Sequence, residues 1–183
     1  GEGLFLAQLA AAAPAASLYG IDNDEGRLVR ARERLAIAGA AARSQALFAA
    51  APTVPFPDGF FDATACVNVS DALPSVSAVA ATLAEMARVT APGGKVIVEY
   101  RNADNLLLVL KYRLAPYYDE TVKGHPFTML TAPQIAGMCA DLGLTVRRRA
   151  YLPASFARAG WLRRIAPIIV VEAAKAPAGK DRP

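Results

Sequence analysis

Two apolar strand patterns joined through a helix pattern, between Phe61 and Tyr100, restrict the fold of this chain more than any other feature. Phe61 to Val69 (FDATACVNV) is nearly all apolar after Asp62, as a strand covered on both faces should be. Lys95 to Tyr100 (KVIVEY) is the second strand pattern. Between them Pro74 and Ser75 open a helix predicted to run to about Val89, with Val76, Val79, Leu83 and Met86 along one side. Ala91-Pro92-Gly93-Gly94 then ends the helix and turns the chain into the second strand.

The rest of the chain continues that alternation. Leu4 to Ala13 reads as a helix stopped by Pro14, and Ala16 to Ile21 as a short strand bounded by Asp22-Asn23-Asp24. Glu25 to Ala38 is a charged amphipathic helix with Leu28, Ala31, Leu35 and Ala38 inward, closed by Gly39. Ser44 to Ala49 is a weaker strand, and Asn102 to Arg113 has a helical pattern. Tyr117 to Met129 is irregular and holds the only histidine, His125. Thr131-Ala-Pro-Gln134 is a capping box with proline in the first turn, so a helix starts there and ends at Gly143. Leu144 to Tyr151 and Ile165 to Ala173 complete the strands. The pattern calls for a doubly wound α/β fold, with a mostly parallel sheet and helices on both faces. A loose tail is expected over 177–183.

At 183 residues the chain fits one domain, and 54% apolar with 20% charged residues excludes a disordered chain. Cys66 and Cys139 stand far apart, outside any CxxC or His-rich spacing, so neither a disulfide framework nor a zinc site is expected. A reducing cytoplasm is the expected setting. Gly3 to Ile21 carries no charge, but Gln8, Pro14, Ser17 and Gly20 interrupt a mostly alanine stretch, and no membrane segment is expected. The formal charge is +4. Its excess lies late, in Arg147, Arg148, Arg149, Arg158, Arg163 and Arg164. Without aromatic interleaving these favour solvated edge structure over a nucleic-acid surface.

Gly1-Glu2-Gly3 stands directly before a helix. Glycines there let backbone approach a ligand, and a helix N-terminus offers free N–H donors to an anion. Asp22 follows at the end of the next strand, where an acid in a doubly wound sheet reaches both hydroxyls of a ribose. A strand-ending Asp can instead cap the next helix, a role Asp24 could fill. Together they indicate an adenosine-containing cofactor. A nicotinamide cofactor is disfavoured because the third glycine of G-x-G-x-x-G would stand at Leu6.

The segment VPFPDGFFDA (54–63), followed by MARVTAPGGKVIVEY (86–100), resembles class I S-adenosylmethionine (SAM)-dependent methyltransferases of the small-molecule branch called type 11. GEGLFLAQLAAAAPAASLYGIDNDEGRLVRAR (1–32) is similar to that family's first motif and following helix, and HPFTMLTAPQIAGMCADLGLTV (125–146) to its late helix and strand. The resemblance implies one domain over residues 1–176, SAM as cofactor, and methyl transfer to a small-molecule acceptor. It implies cofactor contacts from the loop Gly1, Glu2 and Gly3, from Asp22 on the ribose, and from Asn23 against the adenine. Ala50 and Ala51 would lie beside the adenine edge, and Asn68 and Val69 beneath the methyl donor. Ala50 replaces a frequent Asp, removing an acceptor at a cost of about 1 kcal/mol. The resemblance also implies sheet order 3-2-1-4-5-7-6 with an antiparallel C-terminal strand. Its first strand and first glycine should precede Gly1, so a truncated domain with exposed strand edges is expected.

In-line displacement at a sulfonium needs alignment more than proton transfer, and a base only if the acceptor must lose a proton early. His125 is the candidate base by its ordinary pKa, although a lone loop histidine is more often structural. Ser70 and Asp71 are weaker candidates, and Asp71 could simply cap the next helix. A non-catalytic binding module and an RNA methyltransferase remain as alternatives; the latter lacks the Asn/Asp-Pro-Pro-aromatic sequence, since Asn68-Val-Ser-Asp stands there.

Overall fold

The computed structural model describes residues 1–120, 123, 127–157 and 160–178. They fall into two compact units, Gly1–Pro55 and Phe56–Pro183.

In the smaller unit the order is α1 (Leu4–Ala12), β1 (Leu18–Asp22), α2 (Glu25–Ile37) and β2 (Ser44–Phe48). β1 and β2 pair in parallel, from Leu18 opposite Ser44 to Asp22 opposite Phe48. α2 starts where Asp24 accepts a hydrogen bond from the Arg27 N–H at 3.0 Å, and Gly39 ends it at φ +64°. Its buried stripe is Leu28, Ala31 and Leu35. Alanine lets the layers approach closely, and Ala10, Ala31, Ala40 and Ala46 are all buried. The carbonyls at the end of α1 find a partner in Arg43, which donates to Ala10 at 2.6 Å, Ala16 at 3.1 Å and Ala13 at 3.3 Å.

In the larger unit β3 (Phe61–Cys66), α3 (Val76–Val89), β4 (Thr90–Arg101), α4 (Leu106–Leu114), α5 (Ala132–Asp141), β5 (Leu144–Leu152), α6 (Gly160–Arg164) and β6 (Ile168–Lys175) follow in turn. Its sheet has the order β3-β4-β6-β5. β3 and β4 are parallel, and β6 runs against both β4 and β5. The two sheets reproduce the 3-2 and 4-5-7-6 portions of the implied order, and neither contains both β1 and β3. Val79, Leu83 and Ala87 of α3 and Ile135 and Cys139 of α5 share one core with Val96, Val98 and Tyr100 of β4 and Val171 and Ala173 of β6.

Several expectations change. Among the described residues β3 pairs only with β4, and Asp62, Ala63 and Ala65 are exposed rather than covered on both faces. It also ends at Cys66, because Asn68 takes a left-handed backbone at φ +54°, which no strand continues. The expected turn at 91–94 lies within β4 as a bulge: pairing with β3 passes from Thr90 to Lys95. A Cβ on Gly94 would meet the Asp62 carbonyl oxygen at 2.7 Å. Asn102 does not begin a helix; its amide donates to the Arg164 and Ala166 carbonyls at 2.9 Å each, and Asn105 caps α4 instead. The capping box at Thr131 and Gln134 forms as predicted. No helix among the described residues is long and apolar enough to cross a membrane. Of the expected tail, only residues 177 and 178 are described.

Candidate functional site

The smaller unit brings Gly1, Gly3 and Asp22 to the end of β1. Asp22 is the last residue of that strand. One of its oxygens accepts from the Asp24 N–H at 2.9 Å, the other from the Gly1 N–H, and the Arg27 guanidinium lies 4.0 Å away. Asp24, not Asp22, caps α2.

Gly3 caps α1 at φ +76°, with no side-chain hydrogen bond at that helix start and no acidic residue in its first turn. The first N–H groups of α1 are therefore left to an outside acceptor. Sequence reasoning gave the glycine to ligand approach. Its nearer constraint is packing: a Cβ there would lie 2.8 Å from the Ala31 Cα of α2. Gly1 has no such neighbour. Glu2 turns toward α2, its carboxylate 2.9 Å from the Arg30 Nε, while its carbonyl accepts from Arg34 at 2.6 Å. Asn23 is exposed. Ala50 is exposed at the start of a turn closed by the Thr53 N–H on its carbonyl at 3.0 Å, and Ala51 follows half-buried.

In the larger unit Asn68 and Val69 occupy the exposed turn after β3. The segment is fastened to the end of β4. The Ser70 hydroxyl donates to the Glu99 carbonyl at 2.6 Å, and Arg101 Nε meets the Asp71 carboxylate at 2.9 Å. Burial raises the pKa of the Glu99 carboxyl, and the Asn68 backbone works against that rise. Ser70 is buried and Asp71 ion-paired, so both are structural ties; the cap of α3 is Ser75, not Asp71. His125 lies outside the described residues.

Sequence reasoning missed Glu99, a carboxylate 8% exposed in the middle of an apolar strand. Burial raises its pKa, Arg101 opposes, and the nearby Asp71 charge adds to the rise. An acid inside KVIVEY was the available signal. Burial likewise pushes the Cys66 thiol up to about 11, helped by the charges of Glu99 and Asp71, which makes it an inert core group.

The family model for the methyltransferase domain matches residues 1–98, more than half of the chain. The chain belongs to the methyltransferase domain family. It is 40% identical over 88 residues to the ubiquinone/menaquinone biosynthesis C-methyltransferase UbiE of Burkholderia orbicola, covering 48% of this chain and 34% of that protein. The same-named enzyme of Cupriavidus metallidurans is 30% identical over 141 residues, covering 74% of this chain and 56% of that one. The chain thus spans about a third to rather more than half the length of these relatives. Among solved structures, geranyl diphosphate C-methyltransferase from Streptomyces coelicolor A3(2), in complex with Mg2+, geranyl diphosphate and S-adenosyl-L-homocysteine, superimposes with a TM-score of 0.71. It is 11% identical and covers 96% of this chain and 70% of that one. At that identity the likeness shows the fold, which is the Rossmann-like α/β arrangement.

Proposed function

We propose that the chain is the cofactor-binding part of a SAM-dependent methyltransferase acting on a small-molecule acceptor. The observation that carries the reading is Asp22, a carboxylate at the carboxyl end of a parallel strand, beside a helix start that no side chain caps. The fit to SAM is chemical. A carboxylate accepts from two vicinal ribose hydroxyls, and free N–H groups at the start of α1 suit the carboxylate of the methionine portion. Glu2 would contribute backbone only, since Arg30 and Arg34 hold its side chain. Ala50 and Ala51 would offer backbone to the adenine edge, and Asn23 its exposed side chain. In the larger unit Asn68 and Val69 would present backbone from a fixed turn after β3.

SAM, when bound, supplies a methyl group activated by sulfonium charge. The work left to the protein is orientation and exclusion of water, and no base is required for an acceptor already nucleophilic. Cys66 and Cys139 are both free and buried, in keeping with a reducing compartment such as the cytoplasm.

Calorimetric titration with SAM tests the assignment. Asp22→Asn keeps an oxygen for the Asp24 N–H while removing the charge, and Asp22→Ala removes both. Affinity should fall by about 1–3 kcal/mol, roughly 5- to 150-fold, with the alanine variant the weaker binder. Unchanged affinity in a variant with wild-type circular dichroism would falsify the cofactor reading.

A further inference from the structure

The helix α4 reads LLLVLKYRL and has no buried residue. We propose that its outer face, with Trp161 and Ile165 beside it, docks on an anionic phospholipid bilayer, the helix lying along the surface without spanning it. The proposal is independent of the cofactor reading at β1.

The first support is the distribution of residues around α4. Leu106 and Leu107 are 78% and 77% exposed, and Leu110 and Leu114 are exposed as well. At about 100° per residue these four leucines fill an arc of about 100°. Leu108, Val109 and Tyr112 fall on the opposite side and are half-buried, with the Tyr112 ring centre 4.6 Å from that of Phe127. A helix apolar on both sides needs an apolar neighbour on both, and among the described residues α4 has one on its inner side alone.

The second support is charge. Arg113 lies about 20° beyond one edge of the leucine arc, and Lys111 about 40° beyond the other. Both are exposed, and neither has an ion-pair partner among the described residues. No carboxylate stands on α4; Asp104 precedes its cap, and Asp119 and Glu120 follow it. An apolar stripe edged by basic groups on long apolar stems fits hydrocarbon beneath anionic headgroups, because the stems let the charges reach outward while the leucines enter. Two copies joined through this face would instead set Lys111 and Arg113 of one against those of the other, with no carboxylate on the helix to offset them.

The third support is the neighbouring segment. Asn105, the cap of α4, donates from its amide to the Ile165 carbonyl at 2.7 Å, so the start of α4 abuts the end of α6. Trp161 is 67% exposed, and Ile165 is exposed four residues later. The Ile165 N–H on the Leu162 carbonyl at 3.1 Å continues the turn of α6, which sets both side chains on one side. A tryptophan beside exposed leucines suits the headgroup level of a bilayer, where one end of the ring is apolar and the other wet.

Vesicles of phosphatidylcholine with about a third phosphatidylglycerol test this, compared with vesicles of phosphatidylcholine alone. Trp161 is the only tryptophan of the chain, so its emission reports on this surface. The protein should co-sediment with the anionic vesicles, with its emission shifted to the blue and quenched by brominated acyl chains. Leu106→Gln with Leu107→Gln should lower the partition coefficient about tenfold or more. Lys111→Gln with Arg113→Gln should lower it about tenfold on anionic vesicles and little on neutral ones. Two controls should leave binding unchanged: Ile37→Gln, at an exposed apolar residue of α2, and Arg147→Gln with Arg148→Gln, on β5. Equal weakening in the two basic pairs would mean diffuse attraction to anions, nucleic acid included, and would overturn the docking face. Binding that leaves the Trp161 emission unmoved, or no co-sedimentation, would overturn it too. A dimer in analytical ultracentrifugation that Leu106→Gln with Leu107→Gln dissolves would assign the face to a second copy and overturn the bilayer. Co-sedimentation and emission of the wild-type chain decide the docking even where a variant does not fold.

Discussion

Replacing Gly3 by alanine separates two reasons for a glycine in the loop before α1. At φ +76° an alanine pays about 1–2 kcal/mol for left-handed backbone. Its Cβ would also stand 2.8 Å from the Cα, 2.9 Å from the Cβ and 3.2 Å from the carbonyl oxygen of Ala31. Those are backbone and stub atoms of α2 that no rotamer can move, so α1 and α2 must part, at a further cost of about 1–3 kcal/mol. The total is about 2–5 kcal/mol. Gly39 supplies the control. It has φ +64° and nothing within 4 Å of an added Cβ, so Gly39→Ala should cost the backbone term alone, about 1–2 kcal/mol. Urea unfolding of both variants, followed by circular dichroism, measures the difference, and calorimetry with SAM records affinity in parallel. If Gly3→Ala destabilises no more than Gly39→Ala while SAM affinity collapses, the packing argument is wrong and the glycine serves ligand approach alone.

Glu99→Gln tests the buried carboxylate: because its folded pKa is raised above 4.5, its stabilising contribution is complete below that value and is lost as pH rises through the raised pKa. The melting midpoint of the glutamine variant should therefore climb relative to wild type as pH rises above 4.5, and a constant difference across pH would refute the raised pKa. Arg43→Lys should cost about 1–2 kcal/mol in urea unfolding, since a single ammonium nitrogen replaces the two guanidinium nitrogens that reach the three carbonyls from separate positions, and a loss under about 0.5 kcal/mol would show that fork to be dispensable.

What the sequence made legible was local. The Thr131 and Gln134 box, Gly39 closing α2 and the apolar stripe Leu28, Ala31 and Leu35 each depend on neighbours within a few residues and form as read, whereas Ala38, also read as inward, is exposed at the end of α2. Where a partner lay far along the chain, reading failed. Ala91 to Gly94 looked like a simple turn because nothing nearby shows that Phe61 pairs with Thr90 and Ala63 with Lys95. The Tyr100 hydroxyl, without a hydrogen-bond partner among the described residues, is buried by packing against strands as distant in sequence as that of Ile169, which no periodicity encodes. Asp22 was legible as the acid at the strand end because the Asp22-Asn23-Asp24 run itself closes the apolar pattern. Gly3 was legible as necessary, but its contact with Ala31 needed the two helices in place.

The turn after β3 shows how such long-range ties shape chemistry. Asn68 in the left-handed region costs on the order of 1 kcal/mol, less than for most residues because its side chain tolerates that backbone. The turn is held nonetheless by Ser70 on the Glu99 carbonyl and Arg101 on Asp71. The Thr128 N–H adds a third tie to the Asp71 carbonyl at 3.0 Å. The Arg101–Asp71 bond is charge-assisted, and such a bond contributes about 1.5–3 kcal/mol, more than the strain. A hydroxyl that donates from a buried position and a carboxylate held by a guanidinium are both poor general bases. Fixed in this way, Ser70 and Asp71 hold the Asn68–Val69 backbone in one place. On the proposed reading, transfer of a group already activated by its own charge calls for such fixed geometry more than for a proton acceptor.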